Sequence, residues 1–289
     1  MRLEDYLARA EFRGEIAPTL QVLTDLLRAH VTHIPFENLD IQLGRTLTTE
    51  PESAFDKIVT RKRGGWCYEQ NGLFGWALSE IGFEVTRVAA AVMRSERDRI
   101  ADANHLTLLV RTKDSGHTWL ADVGFGGSMI APIELRESAH KHNPFRLGLR
   151  RTDGHRWQFW EDIGDGEFTF DFFAEPADET ALADKCQYLQ TSPESGFVQS
   201  LVAQIRLPDA HKTLRGKVFS QASAGGIGTR ILESPDELVS VLRDIFGIDV
   251  PEAAGLWPRI EQRHEELLRE KTLTNTYEIR SRSHNQSLG

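Results

Sequence analysis

Cysteine is scarce in this chain of 289 residues, which contains only Cys67 and Cys186. Two cysteines cannot form the disulfide framework of a small secreted domain, and they cannot supply a cysteine-rich zinc site. Long apolar runs are also missing, because no stretch of about 18 apolar residues occurs that could span a bilayer. Residues 1–15 place acids among the apolar side chains, unlike the core of a signal peptide. We therefore expect a cytoplasmic protein without a membrane partner.

Positive charge is in short supply as well. The chain has 34 Lys and Arg residues against 43 Asp and Glu residues, which gives a net charge of −9. A surface of this sign does not attract nucleic acid or anionic lipid, so we expect no nucleic-acid partner. Any anionic ligand must then be held by a local site. Internal repeats and low-complexity tracts are absent too.

The pattern of apolar residues divides the chain into three parts. Residues 1–82 show helical spacing, and one predicted helix runs from Cys67 to Gly82, a glycine suited to end it. Residues 83 to about 175 read mainly as strands separated by turn signals, which predicts a mostly antiparallel sheet or small β-barrel. The last part of the chain mixes strand and helix signals. The sequence therefore predicts an α+β fold.

Cys67 lies where a turn at Gly64 and Gly65 leads into the predicted helix. A helix start offers unpaired N–H groups and the positive end of the helix dipole, and the basic residues 61–63 are close in sequence. Both features favour a thiolate and predict a lowered pKa for Cys67, as in a nucleophile. The alternatives are a metal ligand or a small buried side chain. Cys186 has only Lys185 as a basic neighbour, and we interpret it as structural.

A histidine and an aspartate fall at one end of a predicted hairpin. His105 begins the apolar strand "HLTLLV", and Asp122 ends the apolar strand "TWLADV" after the turn signal "KDSG". If the strands pair, the start of the first lies beside the end of the second, where a carboxylate can orient an imidazole. His117 falls at the opposite end. The alternatives are a solvated edge histidine and an aspartate that begins a turn.

The segment "GFGG", residues 124–127, follows Asp122 almost directly. Glycines let the backbone approach a ligand closely and present N–H groups to it, although most glycine-rich segments are turns. Phe125 between them is either exposed or part of a pocket wall. The other glycine-rich segment, residues 222–228, is interpreted as a hairpin loop.

Six segments together resemble the arylamine N-acetyltransferase family, in that family's order and over nearly the whole chain. They are "HVTHIPFENLDI" (30–41), "RGGWCYEQN" (63–71), "NHLTLLV" (104–110), "ADVGFGG" (121–127), "KTLRGKVFS" (212–220) and "LRDIFGI" (242–248). The resemblance implies an N-terminal helical bundle (1–82), a middle antiparallel β-barrel (83–185) and a C-terminal α/β lid (186–289). It also implies that the first two share a core like that of cysteine proteases and transglutaminases.

The resemblance further implies a Cys67–His105–Asp122 triad and acetyl-coenzyme A as co-substrate, with no metal. An acetyl group would pass by ping-pong transfer through a Cys67 thioester to an arylamine, arylhydrazine or N-arylhydroxylamine.

Less direct assignments also follow from the resemblance. The implied wall of the acceptor pocket consists of Phe36, Phe125 and Phe197. The implied contacts to coenzyme A are Gly126, Gly127, Lys212 and Thr213. Arg63 and Glu37 are implied to form a structural charge pair rather than to take part in the chemistry.

Two other functions stay open at this point. A Cys-His-Asp hydrolase or transglutaminase-like enzyme would use the same three residues on amides, and a non-catalytic binding module would leave Cys67 with ordinary thiol reactivity. The sequence does not select an acceptor amine or an acyl chain length. It also leaves the oligomeric state open, a homo-oligomer included.

Overall fold

The computed structural model describes residues 1–94, 102–152, 154–164 and 166–270. The N-terminal part is helical, as predicted. Its helices are α1 (Leu3–Arg9), α2 (Leu20–His33), α3 (Leu39–Gln42), α4 (Pro51–Phe55), continued by a π-helical turn (Asp56–Thr60), and α5 (Cys67–Ile81). Helix α5 ends at Gly82, whose φ of 98° lies in the left-handed region that favours glycine.

The middle part is an eight-stranded antiparallel sheet. Its strands are β2 (Glu84–Val92), β3 (His105–Arg111), β4 (Thr118–Leu120), β5 (Ile133–Glu134), β6 (Ser138–His142), β7 (Phe145–Arg151), β8 (Trp157–Asp162) and β9 (Glu167–Phe172). They are paired in the order β5-β4-β3-β2-β9-β8-β7-β6. The predicted antiparallel sheet is confirmed, in the form of a curled half-barrel. No ladder within the described ranges joins β5 to β6, so the predicted barrel is open there.

A second antiparallel sheet occupies the C-terminal part. It has the order β1-β10-β11-β12-β13, with the strands β1 (Phe36–Glu37), β10 (Val202–Leu207), β11 (Ala210–Arg215), β12 (Val218–Ser223) and β13 (Gly226–Ile231). The helices of this part are α6 (Glu179–Thr191), α7 (Gly196–Gln199), α8 (Pro235–Phe246), a 3-10 turn (Pro251–Leu256) and the helical run 257–270. The predicted hairpin loop within 222–228 is confirmed as the turn between β12 and β13.

Two features depart from the predicted division of the chain. Strand β1 comes from the N-terminal part, yet it pairs with β10 and completes the C-terminal sheet. Helix α6 runs across the predicted boundary between residues 185 and 186. A break between compact units of a chain normally falls in a loop rather than within a helix.

Apolar packing holds α5 between the other elements. Leu73, Phe74 and Ala77 on α5 are buried in one cluster with α2 and the half-barrel. A Cβ at Gly75 would lie 3.3 Å from Leu108 Cδ2, so the glycine allows α5 to lie close against β3. This packing explains why β3 is buried on both faces and reads as an almost continuous apolar run.

Another apolar cluster surrounds Cys67 at the junction of all three parts. It contains Phe36 near the N-terminal helices, Leu106 on β3, Leu182 on α6 and Val202 on β10. Among the helices of the described ranges, none combines the length and apolar composition needed to cross a bilayer.

Candidate active site

Cys67 is the first residue of α5 and is buried. The helix start is fixed by a capping interaction in which Trp66 N–H donates to Glu69 Oε2 over 3.2 Å. Burial raises the pKa of the Cys67 thiol, and the nearby Cys186 and Asp122 act in the same direction. Backbone hydrogen bonds at Leu106 and Tyr68 oppose this rise without cancelling it.

The predicted lowering of the Cys67 pKa is therefore wrong for the resting thiol. The basic residues that motivated it are directed elsewhere. Arg61 is exposed and pairs with Asp56 at 2.9 Å, and Lys62 is exposed as well. Arg63 Nη2 pairs instead with Glu37 Oε1 at 2.9 Å. These basic residues are close to Cys67 in sequence, but their charges are directed away from its thiol. Desolvation therefore determines the direction in which the pKa of Cys67 shifts.

The pairing of Arg63 with Glu37 is confirmed as part of a buried charge cluster. Lys57 Nζ lies 2.9 Å from Glu69 Oε2 and 3.4 Å from Asp40 Oδ2. Burial alone would lower the pKa of Lys57, but these carboxylates together with Glu37 raise it. Because Glu69 also caps α5, the cluster anchors the helix end that carries Cys67.

The predicted hairpin is confirmed and brings His105 and Asp122 together. Strands β3 and β4 are antiparallel, with Leu109 opposite Leu120. His105 Nε2 lies 2.6 Å from Asp122 Oδ2, and both side chains are buried. His117 lies at the far end of the hairpin, where it pairs with Glu134 at 2.9 Å.

Asn71 connects this pair to α5, a role that the sequence analysis missed. Its Nδ2 donates to Asp122 Oδ1 over 3.0 Å, and its Oδ1 accepts from Val123 N–H over 2.9 Å. Burial would raise the pKa of Asp122, but the imidazole of His105 and the hydrogen bonds hold it below its usual range. A signal was available, because Asn71 follows Cys67 by four residues and shares its helix face.

Cys67 and His105 both line a cavity of about 240 Å³. The three aromatic residues expected at the pocket, Phe36, Phe125 and Phe197, line it as well. The ring of Phe125 meets that of His105 edge-on at 5.3 Å between centroids. The cavity thus combines a thiol, an imidazole and aromatic walls.

Phe168 also lines the cavity and was not singled out from the sequence. It is partly exposed and stacks on Phe125 at 5.1 Å between centroids. The alternation of Phe168, Phe170 and Phe172 along β9 places the three on one face of the sheet, and this signal could have identified it.

The glycines after Asp122 have steric roles. A Cβ at Gly124 would lie 2.8 Å from Cys67 Cα, so the loop passes against the cysteine backbone. Gly126 and Gly127 have φ angles of 98° and 92°. A Cβ at Gly126 would clash with Gln204 on β10, and the Gly126 carbonyl accepts a hydrogen bond from His211 Nε2 over 2.6 Å. These contacts seat the loop against the C-terminal sheet.

Lys212 and Thr213 fall on opposite faces of β11. Thr213 pairs with Gln204 and lines a second cavity, of about 440 Å³. Lys212 pairs with Ile205, whose side chain packs in the apolar cluster on the other face. The structure therefore does not bring Lys212 and Thr213 to one ligand. Within the described ranges, no group of three or more His, Cys, Asp or Glu side chains could hold a metal ion.

A cysteine at a helix start, facing the same cavity as a hydrogen-bonded His–Asp pair, is the arrangement of enzymes that transfer acyl groups through a cysteine. A protein-family model described as "N-acetyltransferase" matches residues 19–254. Arylamine N-acetyltransferase of Mycobacterium tuberculosis is 35% identical over 278 residues, which cover 92% of this chain and 95% of that protein. The Escherichia coli enzyme of the same name is 31% identical, over 87% and 90% of the two chains.

Solved structures agree with this match. The M. tuberculosis enzyme superposes with a TM-score of 0.81 at 35% identity, covering 90% of this chain and 99% of that one. The Mycobacterium marinum arylamine N-acetyltransferase in complex with CoA superposes with a TM-score of 0.82 at 33% identity, covering 91% of this chain and 98% of that one. This chain belongs to the arylamine N-acetyltransferase family, and it is an acyltransferase.

Proposed function

We propose that this protein transfers an acetyl group from acetyl-coenzyme A to an aromatic acceptor through a Cys67 thioester. The acceptor atom is the nitrogen of an arylamine or arylhydrazine, or the oxygen of an N-arylhydroxylamine. The observation that carries the proposal is the 2.6 Å contact of His105 with Asp122 beside the cavity that Cys67 also lines. Membership of a family with a relative solved in complex with CoA supports the choice of donor.

The first half-reaction forms the thioester. Asp122 engages Nε2 of His105, which leaves Nδ1 to accept the thiol proton. Because the thiol is buried, loss of its proton to solvent is costly. Transfer of the proton to His105 instead creates a thiolate that is paired with an imidazolium. The thiolate attacks the acetyl carbonyl, the bond to the coenzyme A sulfur breaks, and His105 returns the proton to that leaving sulfur. A backbone N–H beside Cys67 stabilises the oxyanion that forms on the way.

The second half-reaction releases the product. The acceptor nitrogen attacks the thioester carbonyl, its proton passes to His105, and the Cys67 sulfur leaves and regains a proton. Asp122, whose pKa is held low, stays ionised and stabilises the imidazolium in both halves. The aromatic walls limit the access of water, which would otherwise hydrolyse the thioester.

The pocket residues take separate roles in this proposal. Phe36, Phe125 and Phe197 bind the acceptor ring, since all three line the cavity beside Cys67. Gly126, Gly127 and Thr213 contact coenzyme A along the loop and the lid face of β11. Lys212 is not part of the proposed donor site, because it lies on the opposite face of β11 from Thr213.

We also propose three structural units, a helical bundle (1–82), a half-barrel and an α/β lid, of which the first two form the core resembling cysteine proteases and transglutaminases. Helix α6 spans the boundary predicted at 185, so we place that boundary in residues 173–178, between β9 and α6. One apolar cluster is shared by α2, α5 and the half-barrel, which supports a common core for the first two units. Another apolar cluster lies mainly in the C-terminal part and includes Leu39 on α3.

Acetylation of Cys67 tests the function. Incubation with acetyl-coenzyme A alone should add the mass of one acetyl group to the peptide that contains Cys67. Cys186→Ala should keep this label, and Cys67→Ala should lose both the label and arylamine acetylation while remaining folded. Cleavage of peptide amides without any acetyl label would replace the proposal by a hydrolase.

A further inference from the structure

Arg215 borders both the catalytic cavity and the second cavity. It is the last residue of β11 and pairs with Val202, so its side chain shares a face of the sheet with Val202 and Thr213. It lines the catalytic cavity together with Cys67, and it also lines the second cavity of about 440 Å³. Among the described residues, no other arginine or lysine lines both of these cavities.

Charge is distributed unevenly around these cavities. The chain contains 43 Asp and Glu residues and has a net charge of −9. Within the part of the chain that the structure describes, neither cavity is lined by a carboxylate, although several basic side chains line the second one. These basic residues are Arg215, Lys217, Arg259, Arg263 and His264. The second cavity, named here the cationic groove, is therefore a local site of the sign that an anion requires.

Arg215 differs from the other arginine and lysine residues of the groove in its partners. Lys217 Nζ lies 3.3 Å from Glu261 Oε1, Arg263 Nη1 lies 3.2 Å from Glu266 Oε2, and Arg259 Nη2 donates to the Gln42 carbonyl over 3.2 Å. Among the described residues, no acceptor or carboxylate pairs with Arg215. Its side chain is exposed at the cavity mouth, yet burial by the surrounding protein lowers its pKa. A partly desolvated cation without a counter-ion is costly, and a bound anion would remove that cost.

We propose that Arg215 binds an oxyanion of a substrate: a phosphate of the acyl donor, or a carboxylate carried by an anionic arylamine. The guanidinium fork suits either group, because both offer two oxygens in a plane. This inference rests on the proposed function, in which donor and acceptor enter in turn the cavity that Arg215 borders. The cationic groove, which shares Arg215 with the catalytic cavity, gives a donor phosphate room beyond the thioester. The edge of the catalytic cavity gives room for an acceptor carboxylate.

The two half-reactions separate these sources. In the first, the rate of Cys67 acetylation is followed against the concentration of acetyl-coenzyme A or of acetyl-pantetheine, which lacks phosphate. If the anion is a donor phosphate, Arg215→Gln should raise the half-saturating concentration of acetyl-coenzyme A about tenfold, the loss expected for one charge-assisted contact. The value for acetyl-pantetheine should not change, and Arg215→Lys should recover part of the loss.

In the second half-reaction, the purified acetyl-enzyme is mixed with para-aminobenzoate or with the uncharged para-anisidine. If the anion is an acceptor carboxylate, Arg215→Gln should slow transfer to para-aminobenzoate about tenfold and leave transfer to para-anisidine unchanged. Arg146→Gln is the matched control, since Arg146 is an exposed arginine on β7 that lines neither cavity. Circular dichroism checks that each variant is folded.

The inference is overturned if Arg215→Gln matches Arg146→Gln with both donors and both acceptors. That outcome leaves the proposed function intact so long as the wild-type protein acetylates Cys67. If the wild-type protein does not acetylate Cys67, the proposed function is wrong whatever the role of Arg215. Calorimetric binding of pyrophosphate or benzoate, compared between the wild type and Arg215→Gln, then tests Arg215 separately, and equal affinities would reject it.

Discussion

Cys67 combines a position suited to a nucleophile with an environment that opposes ionisation. The helix start and two backbone hydrogen bonds favour the thiolate, but burial outweighs them and raises the pKa of the thiol. A reactive thiolate therefore depends on a proton acceptor within the protein, and His105 lines the same cavity. The reactivity of Cys67 therefore depends on His105 and not on the cysteine alone.

Alkylation tests this dependence on His105. Wild-type Cys67 should react rapidly with iodoacetamide below neutral pH, because the ion pair with His105 supplies the thiolate. In His105→Gln the thiol must ionise alone in a buried site, where its pKa is raised, so the alkylation profile should shift to higher pH. Rates measured from pH 5 to pH 10 give the profile. Superimposed wild-type and His105→Gln profiles would contradict the ion pair.

Asp122 should be equally important for turnover. In Asp122→Asn the amide can still occupy the site next to His105, but it no longer stabilises an imidazolium or fixes the correct tautomer. By analogy with other triads, kcat/KM for arylamine acetylation should fall by roughly 10⁴. Steady-state kinetics measure the loss, and a melting temperature close to that of the wild type shows that the fold persists. A loss in kcat/KM of only a few-fold would mean that Asp122 begins a turn and has no role in turnover.

At the residue scale, topology was a better guide than proximity in sequence. His105 and Asp122 were predicted from the two ends of a hairpin, and strand pairing determines that geometry. The effect of residues 61–63 on Cys67 was inferred from nearness in the chain, and the structure directs these side chains elsewhere. Asn71 was missed because a buried amide leaves no periodic signal, although its spacing from Cys67 was visible.

At the scale of elements, the loop after Asp122 connects the half-barrel to the lid. It passes so close to α5 that a Cβ at Gly124 would lie 2.6 Å from Asn71 Nδ2 and 2.8 Å from Cys67 Cα. The same loop reaches the lid through the hydrogen bond from His211 to the Gly126 carbonyl. Its position therefore depends on all three parts of the molecule.

Gly124→Ala should displace this loop. The added methyl group meets the backbone of Cys67 and the side-chain amide of Asn71, which is already hydrogen-bonded to Asp122. The loop must therefore move and the Asn71–Asp122 contact must lengthen. We expect a destabilisation of about 1–3 kcal/mol, as for an overpacked core, and a loss of activity larger than the loss of folded protein explains.

Gly228→Ala is the matched control for this change. Gly228 lies on β13, its φ is not in the left-handed region, and a Cβ there would meet nothing within 4 Å. Urea denaturation and acetylation rates of the two variants give the comparison. Equal behaviour of Gly124→Ala and Gly228→Ala would mean that the loop tolerates the methyl group.

Elements with a local signal were predicted well, and long-range pairings were not. The hairpin of β3 and β4 and the end of α5 at Gly82 have turn or cap signals within a few residues. Strand β1 has only two residues, and its partner β10 lies more than 160 residues further along the chain. The open edge between β5 and β6 likewise depends on the sheet as a whole. No sequence pattern of period 2 or 3.6 encodes such pairings.

At the scale of the whole molecule, the cavity exists only where the three parts meet. Asn38 illustrates this dependence, because it is fully buried and joins the N-terminal segment to the lid. Its Nδ2 donates to the carbonyls of Phe197 and Ser200 over 2.9 Å each, and its Oδ1 accepts from Val202 N–H over 2.7 Å. The aromatic wall that includes Phe197 is thereby fixed relative to the helix that carries Cys67.

Buried histidines make the stability of this assembly sensitive to acid. His30 packs against Phe74 on α5, with Nδ1 2.8 Å from Tyr6 Oη, and burial lowers its pKa from 6.5 to about 4. Burial likewise lowers the pKa values of His142 and His211 to about 4. Between pH 6.5 and pH 4 the unfolded chain binds protons at these sites that the folded chain does not. Stability is therefore complete above pH 6.5 and falls as the pH drops through this window.

The contribution of His30 can be isolated by substitution. From the two pKa values, one such histidine lowers the free energy of unfolding by roughly 2 kcal/mol between pH 7.5 and pH 5. His30→Gln should therefore show a smaller drop than the wild type over this interval, by about that amount, even if it is less stable at both pH values. His155→Gln, which changes an exposed histidine, should retain the full drop. Urea denaturation at the two pH values measures the difference, and an equal drop in all three proteins would assign the acid sensitivity to other groups.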